Sequence, residues 1–254
     1  MEKSAGYHDL RQALSEPGCA LCRLLARQAD SYIDQLLWEL VNDIDGRGEL
    51  NQARGFCNSH AWLLVRYGAS LGVAILMDGV IGEVMRLVEQ EGFRPQPAFS
   101  LRQVWDALNT SQPSPTTAGL VKTLEPQRPC PVCKTIQKNE SYYLAALVKH
   151  LTGAESLLSA YQASDGLCLP HFRLALGRVS QTESYIALVE AQKSVWQRLR
   201  ADLAEFIRKN DHRFRGERFG PEGDAWLRGI EAVSGASPPK QNRPGDLNKT
   251  GPAT

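Results

Sequence analysis

Cysteine occurs six times in this chain, and every copy belongs to one repeated pattern. Cys19-x2-Cys22 is followed by Cys57-x2-His60, and Cys130-x2-Cys133 is followed by Cys168-x2-His171. A single constant offset carries Cys19 onto Cys130, Cys22 onto Cys133, Cys57 onto Cys168 and His60 onto His171, so the stretches 23–56 and 134–167 between the pairs are equal in length. Independent cysteines have no reason to share an internal spacing, so the pattern reads as a tandem duplication that has kept a set of donors. Three thiols and one imidazole form one of the standard sets for tetrahedral zinc, and four ligands leave no open position. The expectation is two structural zinc ions. An iron–sulfur cluster held by the same tetrads is the alternative, less favoured because its usual fourth ligand is cysteine. A thioredoxin-like redox pair would need alternating strands and helices, and no such alternation is present.

The thiols also bear on compartment and partner. Lys plus Arg number 29 against 28 Asp plus Glu, a net charge of +1. A surface built to neutralise phosphates carries a marked basic excess, so nucleic acid is not expected as a partner. The most apolar stretch, Leu71 to Met85, is broken by Asp78 and Glu83, which argues against a membrane span, and the first residues lack the apolar core of a signal peptide. A reducing cytoplasm is the expected location, where paired C-x2-C motifs serve as metal or redox ligands rather than disulfides.

The donors have to be positioned by helices. Leu25, Ile33, Leu36, Leu37 and Leu40 lie at helical spacing, and the same offset gives Ile136, Leu144, Leu147, Val148 and Leu151, so the copies share a core face as well as ligands. Tyr32 matches Tyr143, and Gly55 matches Gly166. A first helix is expected from near Cys22 to Asn42, with residues 43–56 long enough, if extended, to bring the chain back, and residues 155–161 as a short returning helix in the second copy. Gly55 and Gly166 supply the turn that delivers each second pair. Cysteine and histidine three apart on a first helical turn share a face, so one ion can take both. Further helices are expected over 71–90 and 181–209, the latter burying Tyr185, Leu188, Val195, Trp196, Leu199, Leu203 and Phe206, with Gln192 interrupting the seam.

The fold class is therefore all-α, two tandem helical modules, each a metal-pinned helical hairpin with a longer packing helix. The modules span 1–91 and 129–233, joined by a linker over 92–128 with one short helix at 101–108, and a polar tail over 234–254 is expected to be disordered. Pairing of the ligand sets is open: Cys19 and Cys22 can close a site with Cys57 and His60, or with Cys168 and His171. Arg23 and Lys134 follow the second thiol of each C-x2-C and are candidates to offset its charge. His8, His150 and His212 have no counterparts at the offset and are not read as ligands. Asp211 and Arg213, in a polar run after the long helix, are candidates to contact an anion or a partner. Lys and Arg at a helix C-terminus also serve its dipole, and that is the simpler reading.

At the ligand motifs, the G-F-C-x2-H turn at Gly55 to His60 and the K-x-D-x-R-F segment at Lys209 to Phe214, the chain resembles an uncharacterised family of bacterial all-helical proteins with tandem CxxC…CxxH modules. The similarity runs from about Cys19 to Phe214, with Leu167 in place of the aromatic Phe56 in the second copy. The resemblance implies the helical fold and carries no activity, substrate or metal. Three functions remain: a non-enzymatic scaffold that binds another protein, a redox or metal-handling protein whose tetrads carry an iron–sulfur cluster or a transferable ion, and an enzyme using Asp211 and Arg213 on a small anion. Closed coordination favours the first.

Overall fold

Apolar residues at helical spacing, broken by Pro and Gly, lead to a chain in which the described residues form eleven α-helices and three 3-10 turns, with no strand among them. The structure, a computed structural model, describes residues 5–39, 41, 43–91, 118–153, 156–214 and 216–237. In chain order the helices are α1 Ala5–Leu14, α2 Ala20–Trp38, α3 Ile44–Gln52, α4 Asn58–Ala61, α5 Ser70–Gln90, α6 Ala118–Leu124, α7 Pro131–Lys149, α8 Leu158–Ala163, α9 Leu169–Leu176, α10 Thr182–Lys209 and α11 Ala225–Ser234. The short helix expected at 101–108 and most of the expected tail lie outside the described residues. Residue 40, expected on the core face of α2, does too.

Two compact units emerge, one of residues 1–30 with 135–239, the other of 31–134 with 240–254. They do not follow the expected modules 1–91 and 129–233. Each unit takes its C-x2-C from one copy of the motif and its C-x2-H from the other, and the divisions fall inside α2 and α7.

In the first unit, α1 buries Tyr7, Leu10, Ala13 and Leu14 in a core shared with Leu21 and Leu24 of α2, Leu144 and Leu147 of α7, Tyr161 of α8 and Leu188 of α10. Full burial of each such leucine stabilises by about 1.5–3 kcal/mol. Sequence reading missed α1, whose charged residues dilute a Tyr7, Leu10 and Leu14 stripe. The long helix α10 buries Ser184, Leu188, Ala191, Gln192 and Val195. Tyr185 is therefore a correction, since it is 52% exposed: the buried face passes through its neighbour Ser184 instead. Helix α11 packs on α9 and α10, and α8 packs on α1 and α10.

In the second unit, Ile33, Leu36, Leu37 and Val41 are buried with Leu50, Leu64, Leu76 and Val80. Within the returning segment 43–56 lies a helix, α3, started by Asp43, whose carboxylate accepts the Gly46 N–H at 2.6 Å. Two glycines and a weak apolar stripe hid it from the pattern, although an Asp ahead of a helix is a standard N-cap. Helix α5 packs on α3 and α6.

Candidate functional site

Both C-x2-H motifs are delivered by the same local structure. Gly55 and Gly166 hold φ of +95° and +66°, a left-handed turn that an L side chain resists. Two residues on, Cys57 and Cys168 are N-caps of α4 and α9 with nearly identical backbone angles, φ/ψ −65°/160° and −67°/159°. Each sulfur thus sits immediately before the first turn of its helix. His60 and His171 follow on the first turn. The C-x2-C motifs are equally alike: Cys19 and Cys130 immediately precede α2 and α7, and their carbonyls accept the N–H groups of Arg23 and Lys134 at 3.2 and 3.0 Å.

The ligand pairs close in the crossed arrangement. Cys19 and Cys22 meet Cys168 and His171 in the first unit, and Cys130 and Cys133 meet Cys57 and His60 in the second, all donor atoms of each group lying within 4.8 Å of one another. In the first tetrad the Sγ atoms of Cys19, Cys22 and Cys168 lie 3.4, 3.4 and 3.1 Å from His171 Nδ1, and Cys22 Sγ is 3.7 Å from Cys168 Sγ. In the second, Cys57, Cys133 and Cys130 lie 3.2, 3.3 and 3.7 Å from His60 Nδ1, with Cys57 Sγ 3.7 Å from Cys133 Sγ. A tetrahedral ion with Zn–S near 2.3 Å and Zn–N near 2.0–2.1 Å requires edges of about 3.8 Å between sulfurs and about 3.6 Å from sulfur to nitrogen. Both quartets fit an ion of that size. No disulfide competes, since all six cysteines are free.

The charge state of the metal-free donors is set by their crowding. Hydrogen bonds from Cys168 and Cys22 push the Cys19 thiol far down, while the bond to Cys19 pushes Cys168 up, so the cluster places a thiolate at Cys19. Burial alone would lower His171, but the Cys19 and Cys22 sulfurs outweigh it and raise the imidazole to about 10. Burial, then the bond to Cys57, pushes Cys133 up to about 12. A cation held by either quartet would have to displace these protons and make thiolates of the thiols.

Around the first tetrad lie residues that the motif did not announce. Glu140 Oε1 is 3.2 Å from His171 Nε2, on the far side of the ring from the sulfurs. A carboxylate there fixes the imidazole orientation and raises its basicity as a ligand. Gln192, wholly buried, grips the turn before Cys168: its Oε1 accepts the Leu167 N–H at 3.0 Å, and its Nε2 donates to the Leu167 carbonyl at 3.1 Å. The Tyr161 hydroxyl donates to the same Oε1. Asp165 accepts the Gly18 N–H at 2.7 Å, tying together the two segments that carry the ligands. Past α11, the Ala236 N–H reaches Cys22 Sγ at 3.5 Å. The signal for Gln192 was present in the sequence as a polar residue in an apolar seam.

Arg23 and Lys134 are engaged elsewhere than on the thiols, in ion pairs with Glu16 at 3.3 Å and Glu49 at 2.9 Å. Asp211 and Arg213 lie beyond α10, away from the tetrads in sequence, and pair with each other at 2.7 Å, with the Arg213 N–H also on Asp211 at 2.9 Å. The adjacent Lys209 bonds Glu222 at 2.7 Å. The ring of His150 packs edge-on against Tyr7 at 5.3 Å, and His212 Nδ1 lies 3.1 Å from Asp211. No helix among the described residues is long and apolar enough to cross a membrane.

Comparisons with known proteins give a family and a distant relative, neither with an activity. An uncharacterized 23.9 kDa protein in the xynA 3' region of Caldicellulosiruptor sp. (strain Rt8B.4) is 23% identical over 221 residues, covering 87% of this chain and 96% of that protein. No solved structure matches the chain significantly. Residues 10–240 match the model of the Family of unknown function (DUF6062), and the chain belongs to that family.

Proposed function

We propose that this protein is a zinc-binding helical scaffold in which each Cys3His tetrad holds one structural ion and the outer helix faces bind another protein. The observation that carries the reading is the convergence of each quartet to within 4.8 Å from segments far apart in the chain. Donors drawn together at tetrahedral edge lengths suit one four-coordinate ion. A four-iron cluster attaches each ligand to a different iron and needs its donors spread more widely, which weighs against the iron–sulfur alternative. Four protein ligands leave no position for a substrate or water, so the ion's contribution is to folding.

Several features support a protein partner. Trp226, Ile230 and Val233 form an exposed row on α11, and Ile81, Met85 and Val88 form another on α5. Such rows at i, i+4, i+7 suit packing against a partner's apolar surface. The reduced thiols suit a cytoplasmic location, and the constant offset between the two ligand sets supports an origin by duplication. Anaerobic purification followed by metal analysis and an absorption spectrum tests the ion: colourless protein with two zinc ions per chain is expected for the two groups. Visible absorption with stoichiometric iron and sulfide would replace zinc by a cluster. Isolation of the untagged chain with its bound proteins, repeated after Trp226→Ala with Ile230→Ala, tests the surface: loss of a stoichiometric companion in the variant is expected.

A further inference from the structure

The two tetrads share donors but not surroundings. In the first, Cys19, Cys168 and His171 are 7%, 1% and 8% exposed, and only Cys22 is partly open. In the second, Cys130 is buried, and Cys57, His60 and Cys133 are all partly open. The supporting residues of the first site have no chemical equivalents at the offset that relates the ligands: Glu140 corresponds to Ala29, Gln192 to Ile81, Asp165 to Arg54 and Gly18 to Pro129. Alanine has no carboxylate for a histidine, isoleucine no amide for a turn, and proline no N–H to donate. Ile81 is 57% exposed, and Arg54 spends its guanidinium on the carbonyls of Asn51 and Thr123 at 2.9 and 2.7 Å. A cavity of about 320 Å³ reaches Cys19 and Cys168 but leaves their side chains as buried as stated.

We infer that the ion of Cys57, His60, Cys130 and Cys133 is exchangeable while that of Cys19, Cys22, Cys168 and His171 is permanent. The second unit's structural ion can then be replaced while the first unit stays closed. The inference rests on the proposed metal binding. Exchange at a closed four-coordinate ion is a substitution: an incoming thiolate or aminocarboxylate donor bonds the ion as a protein sulfur leaves it, and no electron moves. Half-open donors let that donor approach. Buried donors whose histidine and backbone are held from outside do not, and loss of such outer partners typically weakens a metal site 10–100-fold.

The test is zinc release from the full chain into excess EDTA, with the freed cysteines trapped by N-ethylmaleimide and mapped by peptide mass spectrometry. Two phases of one ion each are expected, with rates about tenfold or more apart. Cys57, Cys130 and Cys133 label with the fast phase, and Cys19, Cys22 and Cys168 with the slow one. Glu140→Ala and Gln192→Ala should each speed the slow phase about tenfold or more and leave the fast one unchanged. A single phase, or labelling of Cys19 and Cys168 first, with two ions bound at the start, overturns the asymmetry alone. No bound ion at the start overturns the metal reading itself, and the inference with it. The wild-type labelling pattern decides the matter even where a variant fails to fold.

Discussion

Asn139 Nδ2 donates to Gln28 Oε1 at 3.1 Å, and the two residues are 111 positions apart. That is the offset relating the two occurrences of the ligand motif, so the bond joins two positions that correspond in the sequence pattern. The crossed closure of the tetrads belongs with this contact.

The crossed pairing is open to a direct check by paired substitutions. Cys22→Ser and Cys168→Ser should each cost one zinc per chain, and the double variant should cost no more, because both act on one ion. Cys22→Ser with Cys57→Ser should cost both. Metal analysis reads the counts. Local pairing would give the reverse result, with Cys22→Ser and Cys57→Ser sharing one loss.

Cutting the chain gives a second prediction. A protease site placed within residues 92–117 should yield two fragments that stay together on size exclusion, since each tetrad joins a segment before the cut to one after it. Chelation should weaken or break that association. Fragments that separate with both ions still bound would contradict the crossed closure.

Gln192→Ala strips both backbone bonds from Leu167 in a fully buried place. The cost of leaving such polar groups unpaired is about 1–3 kcal/mol each before relaxation, so the midpoint of urea unfolding should fall clearly. Leu188→Ala, which opens a cavity in the same core, should cost about 2–5 kcal/mol. A Gln192→Ala protein as stable as wild type would remove the residue from any positioning role.

The Glu222–Lys209 ion pair predicts a pH dependence. The hydrogen bond from Lys209 holds the Glu222 carboxyl down to about 2, below its ordinary 4.5. A depressed carboxylate contributes stability above its unfolded value and loses it as pH falls through its folded one. Wild type should therefore melt above Glu222→Gln at neutral pH, and the gap should shrink progressively as pH falls from 4.5 toward 2. Comparing the two proteins at each pH cancels acid loss of metal, which both share. A gap that widens on acidification would contradict the pairing.

The helices and donors were readable before the structure because periodicity and ligand type are local properties. Ile33, Leu36, Leu144 and Leu147 are buried as their spacing requires, and Gly55 and Gly166 adopt the left-handed turn expected of them. Pairing was not readable, because the equal spacing within the two copies satisfies the local and crossed closures equally well. Glu140 carried no signal as a solitary acid on a polar face. Gln192 carried one that pointed the other way: a polar residue in an apolar seam reads as an interruption until the unpaired backbone of Leu167 is seen opposite it. Helix α3 shows the remaining limit, since its Asp43 cap was visible but its glycines suppressed the helical pattern.

Crossed closure also orders events at the ribosome. Once the first C-x2-C and the first C-x2-H have been made, each of the two quartets that the folded chain assembles is still half-filled. The quartet of Cys57 and His60 waits for Cys133, and that of Cys19 and Cys22 waits for His171. An ion held by either crossed quartet would therefore be captured only in the second half of translation.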